Sequence, residues 1–150
     1  ASSCVYPRDT SQPMNEDQIG TGHPEPTSIA YASAKYAGIQ MCQAINRQNN
    51  LVSFIPVIPN SVYGPNDNFS ELDSHVIPGL ITKFLTAKRN KTNVKIWGSG
   101  KPIREFIHVD DVAEAIYFLL SKKMKDLSSL RGFIIGSFIL VIWIFYAEVS

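Results

Sequence analysis

The chain has 150 residues, of which 45% are hydrophobic and 18% charged, with 14 Lys and Arg against 13 Asp and Glu. This length and composition allow one ordinary domain with a buried core and exclude a disordered tail. The formal net charge of +1 predicts no general attraction to nucleic acid or to an anionic membrane. Cys4 and Cys42 are too few for a disulfide scaffold, and no Cys/His cluster has metal-ligand spacing. We therefore expect no metal site and a reduced, cytoplasmic setting.

The first half of the chain is predicted to form a loop, a helix and a strand. Residues 1–6 look like the end of a buried strand, and a loop rich in Pro and Gly follows over residues 7–27. A helix is predicted from an N-cap at Ser28 to Asn49, with an apolar stripe at i, i+3, i+4 spacing. The stripe consists of Ala34, Ala37, Gly38, Met41, Cys42 and Ile45. A β-rich run over 51–58 predicts a buried strand.

The second half alternates between helices and strands. A loop over residues 59–73 leads to a helix predicted at 75–88, and strands are predicted at 94–97 and 104–108. A last helix begins at about residue 110, where two adjacent carboxylates suit the positive end of the helix dipole. Helices that alternate with short apolar strands indicate an α/β protein with a largely parallel sheet.

The end of the chain is unusually apolar. Every residue from 133 to 146 except Gly136 and Ser137 is apolar. This run is shorter than the roughly 20 residues of a membrane-spanning helix, and it is too apolar for an amphipathic helix. We therefore expect a buried strand at 133–135, a domain over 1–132 and an anomalous hydrophobic tail over 133–150. A membrane-associated tail is the less favoured alternative.

Tyr31 and Lys35 form the first candidate site. Residues four apart on a helix share a face, and a nearby ammonium favours a phenolate, so the Tyr31 hydroxyl can give or take a proton near neutral pH. Ser2 and Ser3 are predicted to end a strand, and the carboxyl ends of parallel strands line the ligand crevice of an open sheet. A Ser2 hydroxyl at that place can hydrogen-bond a carbonyl oxygen. Together the three residues indicate a carbonyl-reduction site that needs a hydride donor. A surface tyrosine stacked on a lysine is the plainer alternative.

Several longer motifs, in a consistent order, carry a resemblance to a known family. The motifs are Ser2-Ser3-Cys4-Val5-Tyr6-Pro7, Glu25-Pro26-Thr27, Tyr31-Ala-x-Ala-Lys35-x-Ala-Gly38, Asn46-Arg47-Gln48, Tyr63-Gly64-Pro65-Asn66-Asp67-Asn68-Phe69, Ser74-His75-Val76-Ile77-Pro78 and Trp97-Gly98-Ser99-Gly100-x-Pro102-x-Arg104-Glu105-Phe106-x-His108-Val109-Asp110-Asp111. From residue 1 to about residue 120, the sequence resembles the GDP-L-fucose synthase family, which are extended short-chain dehydrogenase/reductases of the NAD-dependent epimerase/dehydratase group.

The resemblance implies a fold and an activity. The fold would be the middle part of a Rossmann-like, doubly wound parallel sheet, without the Gly-rich N-terminal half and the C-terminal half. The activity would be 3,5-epimerisation of GDP-4-keto-6-deoxy-D-mannose and then reduction at C4 by NADPH to give GDP-L-fucose, by a full-length homodimer. The sequence holds no Gly-x-x-Gly-x-x-Gly motif to bind the cofactor pyrophosphate. We therefore expect the isolated chain to be an inactive fragment that binds NADPH weakly.

The resemblance also implies roles for residues. Cys4 and His75 match the acid/base pair that inverts C3 and C5, and Tyr31 matches the proton donor to O4. Residues that match the catalytic site are Ser2, Cys4, Tyr31, Lys35 and His75, and those that match the cofactor site are Ser2, Ser3, Tyr31, Lys35, Pro59, Asn60, Ser61, Val62 and His75. Residues that match substrate contacts are Lys83, Trp97 and Arg104. The run Asn60-Ser61-Val62 departs from the common Thr-Asn-Leu, and Lys83 stands where an Arg is frequent, which predicts altered nucleotide-sugar binding.

Two other functions remain open. The chain can belong to another nucleotide-sugar enzyme of the same superfamily, such as a 4-epimerase, which has no need of an acid/base pair such as Cys4 and His75. It can also be a non-catalytic, vestigial product that packs against a partner through its apolar tail. Plainer roles also exist for single residues: Cys4 or Trp97 in a core, and His75 or His108 in local structure.

Overall fold

The structure is a computed structural model. It describes residues 1–49, 54–96, 98, 103–121, 133–135 and 141–143. The chain divides into two compact units, the first formed by residues 1–60 with 111–136 and the second by 61–110 with 137–150.

The first unit is organised around helix α1, Ile29–Asn49. A 3₁₀ turn at Pro26–Ser28 leads directly into the helix, so Ser28 is the end of that turn rather than the predicted cap of a free helix end. The buried residues of α1 are Ala32 and Ile39. They lie on the face opposite most of the predicted apolar stripe, and Met41 of that stripe is 63% exposed. The helix is confirmed, but the prediction of its buried face was wrong.

The core of this unit explains which face of α1 is buried. Val5, Tyr6, Ile39 and Ile58 form one cluster of buried side chains, and Met14, Ile19 and Tyr36 pack against it. Val5 ends a 3₁₀ turn, Ser3–Val5, and residues 1–6 contain no strand, contrary to the prediction that they end one. Two large side chains at positions 5 and 6 therefore bring α1 onto the chain start through Ile39, and the small side chains of the predicted stripe face outward.

The first unit contains a sheet of two short parallel strands. Strand β1, Val57–Pro59, pairs in parallel with Phe133–Ile135, which is β4 in chain order. The backbone nitrogen of Ala1 donates to the carbonyl of Val57 over 2.6 Å, so the start of the chain lies beside β1. The structure confirms a strand at 133–135. It confirms the strand predicted over 51–58 only at its end, and residues 51–53 lie outside the described residues.

The loop over residues 7–27 is closed at its base. The backbone N–H of Arg8 donates to the carbonyl of His23 over 3.0 Å. The Arg8 Nε atom also lies 3.5 Å from Glu25 Oε2, although this ion pair is exposed and stabilises little by itself. Inside the loop, Asn15 caps a 3₁₀ turn at Glu16–Gln18. The loop surrounds an open hollow of about 550 Å³.

The second unit contains a mixed three-stranded sheet and a helix. Strand β2, Ser61–Tyr63, pairs in parallel with β3, Ile103–His108, and β3 pairs antiparallel with β5, Val141–Trp143. Between β2 and β3, the chain forms a long loop and then helix α2, Val76–Asn90. The structure confirms α2 and β3. It corrects the prediction that residues 61–63 belong to a loop, because these three residues pair with β3.

Helix α3, Val109–Ser121, follows β3 without a loop and buries Leu119. Its predicted start at the adjacent acids is confirmed to within two residues. Residues 94–96 form no strand, contrary to the prediction for 94–97, and Trp97 lies outside the described residues. Among the helices that the structure describes, none has the length and apolar character needed to cross a bilayer.

Candidate active site

Ser2 and Cys4 lie in one tight turn at the start of the first unit. Ser2 is extended and caps the 3₁₀ turn, and its Oγ accepts the Cys4 backbone N–H over 3.4 Å. The oxygen of Ser2 is thus engaged locally, while its hydroxyl proton can still be donated to a ligand. Cys4 is half-buried with an unpaired thiol, and the next residue, Val5, enters the core. The turn therefore places a hydroxyl and a thiol on a segment that the core holds.

Tyr31 and Lys35 meet on α1 as their spacing predicts. The Lys35 Nζ atom lies 5.3 Å from the centre of the Tyr31 ring, which is the geometry of a cation–π contact. The Tyr31 side chain is 52% exposed, so its hydroxyl is accessible to a ligand. No carboxylate among the described residues forms an ion pair with Lys35. The pair is thus an exposed phenol with an ammonium held against it.

Electrostatics relate Lys35 to the start of the chain. Burial lowers the pKa of the Ala1 ammonium, the charge of Lys35 lowers this pKa further, and Cys42 raises it. Because the repulsion between two charges weakens with distance, this influence indicates that the Lys35 ammonium lies in the neighbourhood of Ala1. Ala1 immediately precedes Ser2, so the structure brings the Ser2 turn and the Tyr31–Lys35 pair to one region of the first unit.

The four residues predicted to contact the cofactor after β1 are divided between the two units. Pro59 ends β1 and is half-buried, as is Asn60, the last residue of the first unit's N-terminal segment. Ser61 and Val62 lie on β2 in the second unit, are exposed, and pair with Phe106 and Ile107 of β3.

His75 occupies the N-cap position of α2 without capping it. Its backbone is extended, its carbonyl accepts the Gly79 N–H over 2.9 Å, and its imidazole makes no capping hydrogen bond. Ser, Thr, Asp and Asn are preferred at this position because their side chains do cap. The exposed His75 ring therefore contributes nothing to the helix start and is accessible for other chemistry.

The predicted substrate contacts also belong to the second unit. Lys83 is half-buried in α2. Arg104 is exposed on β3, and one of its guanidinium nitrogens donates to the carbonyl of Ile103 over 3.3 Å, which leaves four N–H donors for other contacts. Trp97 lies outside the described residues, so its predicted role has no structural counterpart here. Within the described part of the chain, no group of His, Cys, Asp or Glu side chains can hold a metal ion.

His108 has the structural role that the sequence predicts. Its Nδ1 accepts the backbone N–H of Asp110 over 3.3 Å, so it caps the start of α3. Its ring also meets the ring of Tyr63 edge to face, with the ring centres 5.3 Å apart. Sequence reasoning missed a different residue, Asn68, whose amide closes the loop before His75; its place in a turn-forming Asn-Asp-Asn run was the available signal.

Comparison with known proteins places these motifs in a family. The sequence profile of the NAD dependent epimerase/dehydratase family matches residues 1–130. The chain is 49% identical over 115 residues to the GDP-L-fucose synthase of Escherichia coli. This match covers 76% of this chain and 36% of that protein. It is also 39% identical over 125 residues to the GDP-L-colitose synthase of Yersinia pseudotuberculosis. This second match covers 83% of this chain and 41% of that protein. The chain thus spans about two fifths or less of the length of these relatives.

A solved structure extends the comparison to three dimensions. The GDP-L-fucose synthetase of Naegleria fowleri, crystallised with NADP, matches with a TM-score of 0.79 and 31% identity. The match covers 91% of this chain and 42% of that protein. The architecture of α/β type with parallel strand pairs is therefore a part of the Rossmann-like fold, as the sequence predicts.

Proposed function

The chain belongs to the NAD dependent epimerase/dehydratase family, and on that premise we propose that its protein epimerises and reduces a GDP-linked 4-keto sugar. The proposed substrate is GDP-4-keto-6-deoxy-D-mannose, and the proposed product is GDP-L-fucose. One observation carries the proposal. The first unit carries an exposed tyrosine with a lysine ammonium on its ring, and also a serine whose Oγ accepts a backbone N–H, so that its hydroxyl proton can be donated to a ligand. This is the set of groups that carbonyl reduction requires.

Epimerisation needs an acid and a base on opposite faces of the sugar. The C4 ketone acidifies the protons on C3 and C5, because the carbanion left behind delocalises onto O4. We assign these two proton transfers to Cys4 and His75, because a thiol and an imidazole can each give up and accept a proton. One removes a proton from one face and the other returns a proton to the opposite face, so each inversion leaves the composition of the sugar unchanged. The unpaired thiol of Cys4 and the non-capping ring of His75 suit this role.

Reduction of the ketone uses Ser2, Tyr31 and Lys35. The Ser2 hydroxyl donates to O4 and orients the carbonyl. Tyr31 gives its proton to O4 while C4 gains a hydride, so the C=O bond becomes a C–OH group. The Lys35 ammonium, already on the Tyr31 ring, stabilises the phenolate that remains. Solvent then returns a proton to the exposed Tyr31.

Tyr31 and Lys35 suit the ribose of a nicotinamide cofactor. NADPH supplies the hydride when it is bound. The Tyr31 hydroxyl and the Lys35 ammonium are exposed donors that suit ribose hydroxyls, and we propose them as that contact together with Ser2, Ser3 and His75. The residues Pro59, Asn60, Ser61 and Val62 are proposed for the nicotinamide side.

We propose that positive side chains of the second unit hold the nucleotide diphosphate. Arg104 is exposed and keeps donors for a phosphate. Lys83 can add charge but cannot form a forked pair with phosphate oxygens, which predicts weaker retention of the substrate than an arginine gives. Trp97 is proposed as an aromatic contact to the sugar nucleotide.

We further propose a homodimer through α1. The exposed Ala30, Ala34, Ala37, Gly38 and Met41 form what we call the small-residue face of this helix. Outside its chain neighbours and the nearby backbone of its own helix, a Cβ atom on Gly38 would meet no described atom within 4 Å, so packing among the described residues gives no reason for glycine there. Glycine in a helix interior costs about 1 kcal/mol relative to alanine. Close approach of the same face from a second copy would account for it.

The proposal also includes a cellular location and a division of the chain into two parts. Cys4 and Cys42 are both unpaired thiols, which supports a reducing, cytoplasmic location. We also retain the division into the middle part of a nucleotide-binding domain over 1–132 and an apolar segment over 133–150.

A segment exchange tests the proposed activity. The 115 matched residues of the Escherichia coli relative are replaced by those of this chain, which supplies a complete cofactor site around them. We expect NADPH-dependent formation of GDP-L-fucose, and we expect Y31F to lower the reduction rate by about 10²-fold or more. Y36F, on the same helix but packed on the core, is the matched control. A folded exchange protein that binds NADPH without converting the substrate would refute the proposal.

A further inference from the structure

The loop that ends at His75 is held by side-chain hydrogen bonds rather than by secondary structure. Asn68 is at its centre. The Asn68 Oδ1 atom accepts the Ser70 N–H over 3.0 Å, and Nδ2 donates to the Asp73 carbonyl over 3.3 Å. One amide therefore ties both ends of the segment that runs up to two residues before His75.

Ser70 and Thr82 strengthen the same closure. The Ser70 Oγ atom accepts the N–H groups of Leu72 and Asp73 over 3.2 and 3.4 Å. Thr82 of α2 donates its hydroxyl to the Phe69 carbonyl over 3.0 Å, which ties the loop to the helix that His75 begins. The loop is thus closed on itself and fastened to α2.

The orientation of the His75 imidazole depends on this closure, because the ring makes no capping hydrogen bond. A residue that caps a helix is fixed by its side chain, but the His75 ring makes no such bond. Its backbone is instead set by the Gly79 N–H on one side and by the Asp73–Ser74 segment on the other. We propose that Asn68 is a positioning residue for His75: it fixes the chain that enters α2 and so directs the imidazole. This inference rests on the proposed acid/base role of His75.

The test uses the full chain and nuclear magnetic resonance of its three histidine rings. N68D is nearly isosteric; it keeps the acceptor for the Ser70 N–H and loses the donor to Asp73. N68A is the second variant, and N93D places the same charge on an exposed asparagine beyond α2. We expect N68D and N68A to move the His75 ring signals and to speed hydrogen exchange of the Gly79 amide about fivefold, the effect of one ordinary hydrogen bond.

The rings of His23 and His108 report on general unfolding. Their signals should stay in place in both Asn68 variants, and N93D should leave all three rings unchanged. An unmoved His75 signal, or equal movement of all three rings, would overturn the positioning role. The proposed function is tested separately by deuterium incorporation at C3 and C5 in the segment-exchange protein. If the unsubstituted segment-exchange protein incorporates no deuterium, the acid/base role fails, whereas a shifted His75 ring in N68D still establishes the structural relationship.

Discussion

The Lys35 ammonium contacts Tyr31 through its ring face, with 5.3 Å between Nζ and the ring centre. The charge therefore acts on the phenol through space and leaves the hydroxyl unoccupied by this lysine. A general acid has to present its proton to the substrate, and this arrangement leaves the Tyr31 hydroxyl able to do so.

The contact makes Lys35 specific to one chemical step. In the segment-exchange protein, K35M should slow reduction of an already epimerised ketone by about 10²-fold, because the phenolate left on Tyr31 loses its stabilising charge. K35R should retain part of the rate, because a guanidinium also binds an aromatic face. Deuterium incorporation at C3 and C5 should persist in both variants, and equal loss of both activities would contradict the assignment.

Cys4 should show the opposite selectivity. C4S replaces a thiol with a hydroxyl that ionises far less readily, so deuterium incorporation should fall by about 10²-fold or more. Reduction of the epimerised ketone should continue at close to its original rate. C42S, at the other half-buried thiol, is the matched control and should leave both rates unchanged. A C4S protein that still exchanges protons at the original rate would exclude Cys4 from the acid/base pair.

At position 75 stability and activity should respond in opposite directions. H75D supplies the missing N-cap of α2 and a favourable charge at the helix dipole, so we expect the full chain to gain about 1 kcal/mol in urea unfolding. H75A, which cannot cap, should gain nothing. Both variants should abolish proton exchange in the segment-exchange protein. If H75D lost stability, the imidazole would have a structural bond that the geometry does not show.

Tyr6 should make the chain sensitive to alkali. Its side chain is 5% exposed, and its hydroxyl has no hydrogen-bond partner among the described residues. Burial, with a smaller effect of Glu16, raises the pKa of Tyr6 to about 12. The unfolded phenol titrates near pH 10, so stability is complete below that value and falls by about 2 kcal/mol as the pH rises to 12.

Y6F removes both the ionisation and the unpaired hydroxyl. The variant should therefore lose less stability than the original chain between those two pH values, as measured by urea unfolding at each pH. Near pH 7 it should be as stable or more stable by up to about 1 kcal/mol. Y36F, which also packs on this core, should keep the alkaline transition. A large loss of stability in Y6F at neutral pH would reveal a partner for the hydroxyl.

Gly38 should separate helix stability from association. G38A removes a flexible residue from α1 and should stabilise the monomer by about 1 kcal/mol. G38L should stabilise the helix but block close approach by a second copy, so sedimentation should show monomers at concentrations where the original protein is dimeric. R47L, at an exposed position of α1 beyond the small-residue face, is the control. Unchanged association in G38L would exclude this face as the interface.

The sequence predicts elements well where local chemistry decides them. The helices α1, α2 and α3 have clear periodicity or charged starts, and β3 contains the adjacent apolar residues Phe106 and Ile107, both of which are buried. Strand β2 escaped prediction because Ser61–Tyr63 is only three residues long and gains its structure from β3, about forty residues away in the chain. Short strands of this kind depend on a distant partner that no local pattern reveals.

The buried face of α1 shows a second limit of pattern reading. Periodicity identified an apolar stripe, but Ala and Gly count as apolar while contributing little area to a core. The side that is buried was decided by Val5 and Tyr6, which pack on Ile39. For the candidate site, the same pattern correctly placed Tyr31 with Lys35, because a helix fixes residues four apart. The pattern does not indicate that the His75 imidazole makes no capping hydrogen bond to the helix that it begins.

The loop over 7–27 is closed at its base, and two of its interior side chains, Met14 and Ile19, pack on the core of the first unit. The Arg8 N–H to His23 bond fixes the separation of the two ends. Lengthening such a loop costs only slowly growing entropy. Extra residues at exposed positions of this loop, away from Met14 and Ile19, should therefore leave Cys4 and Tyr31 in place, because the base of the loop and its contacts with the core stay unchanged.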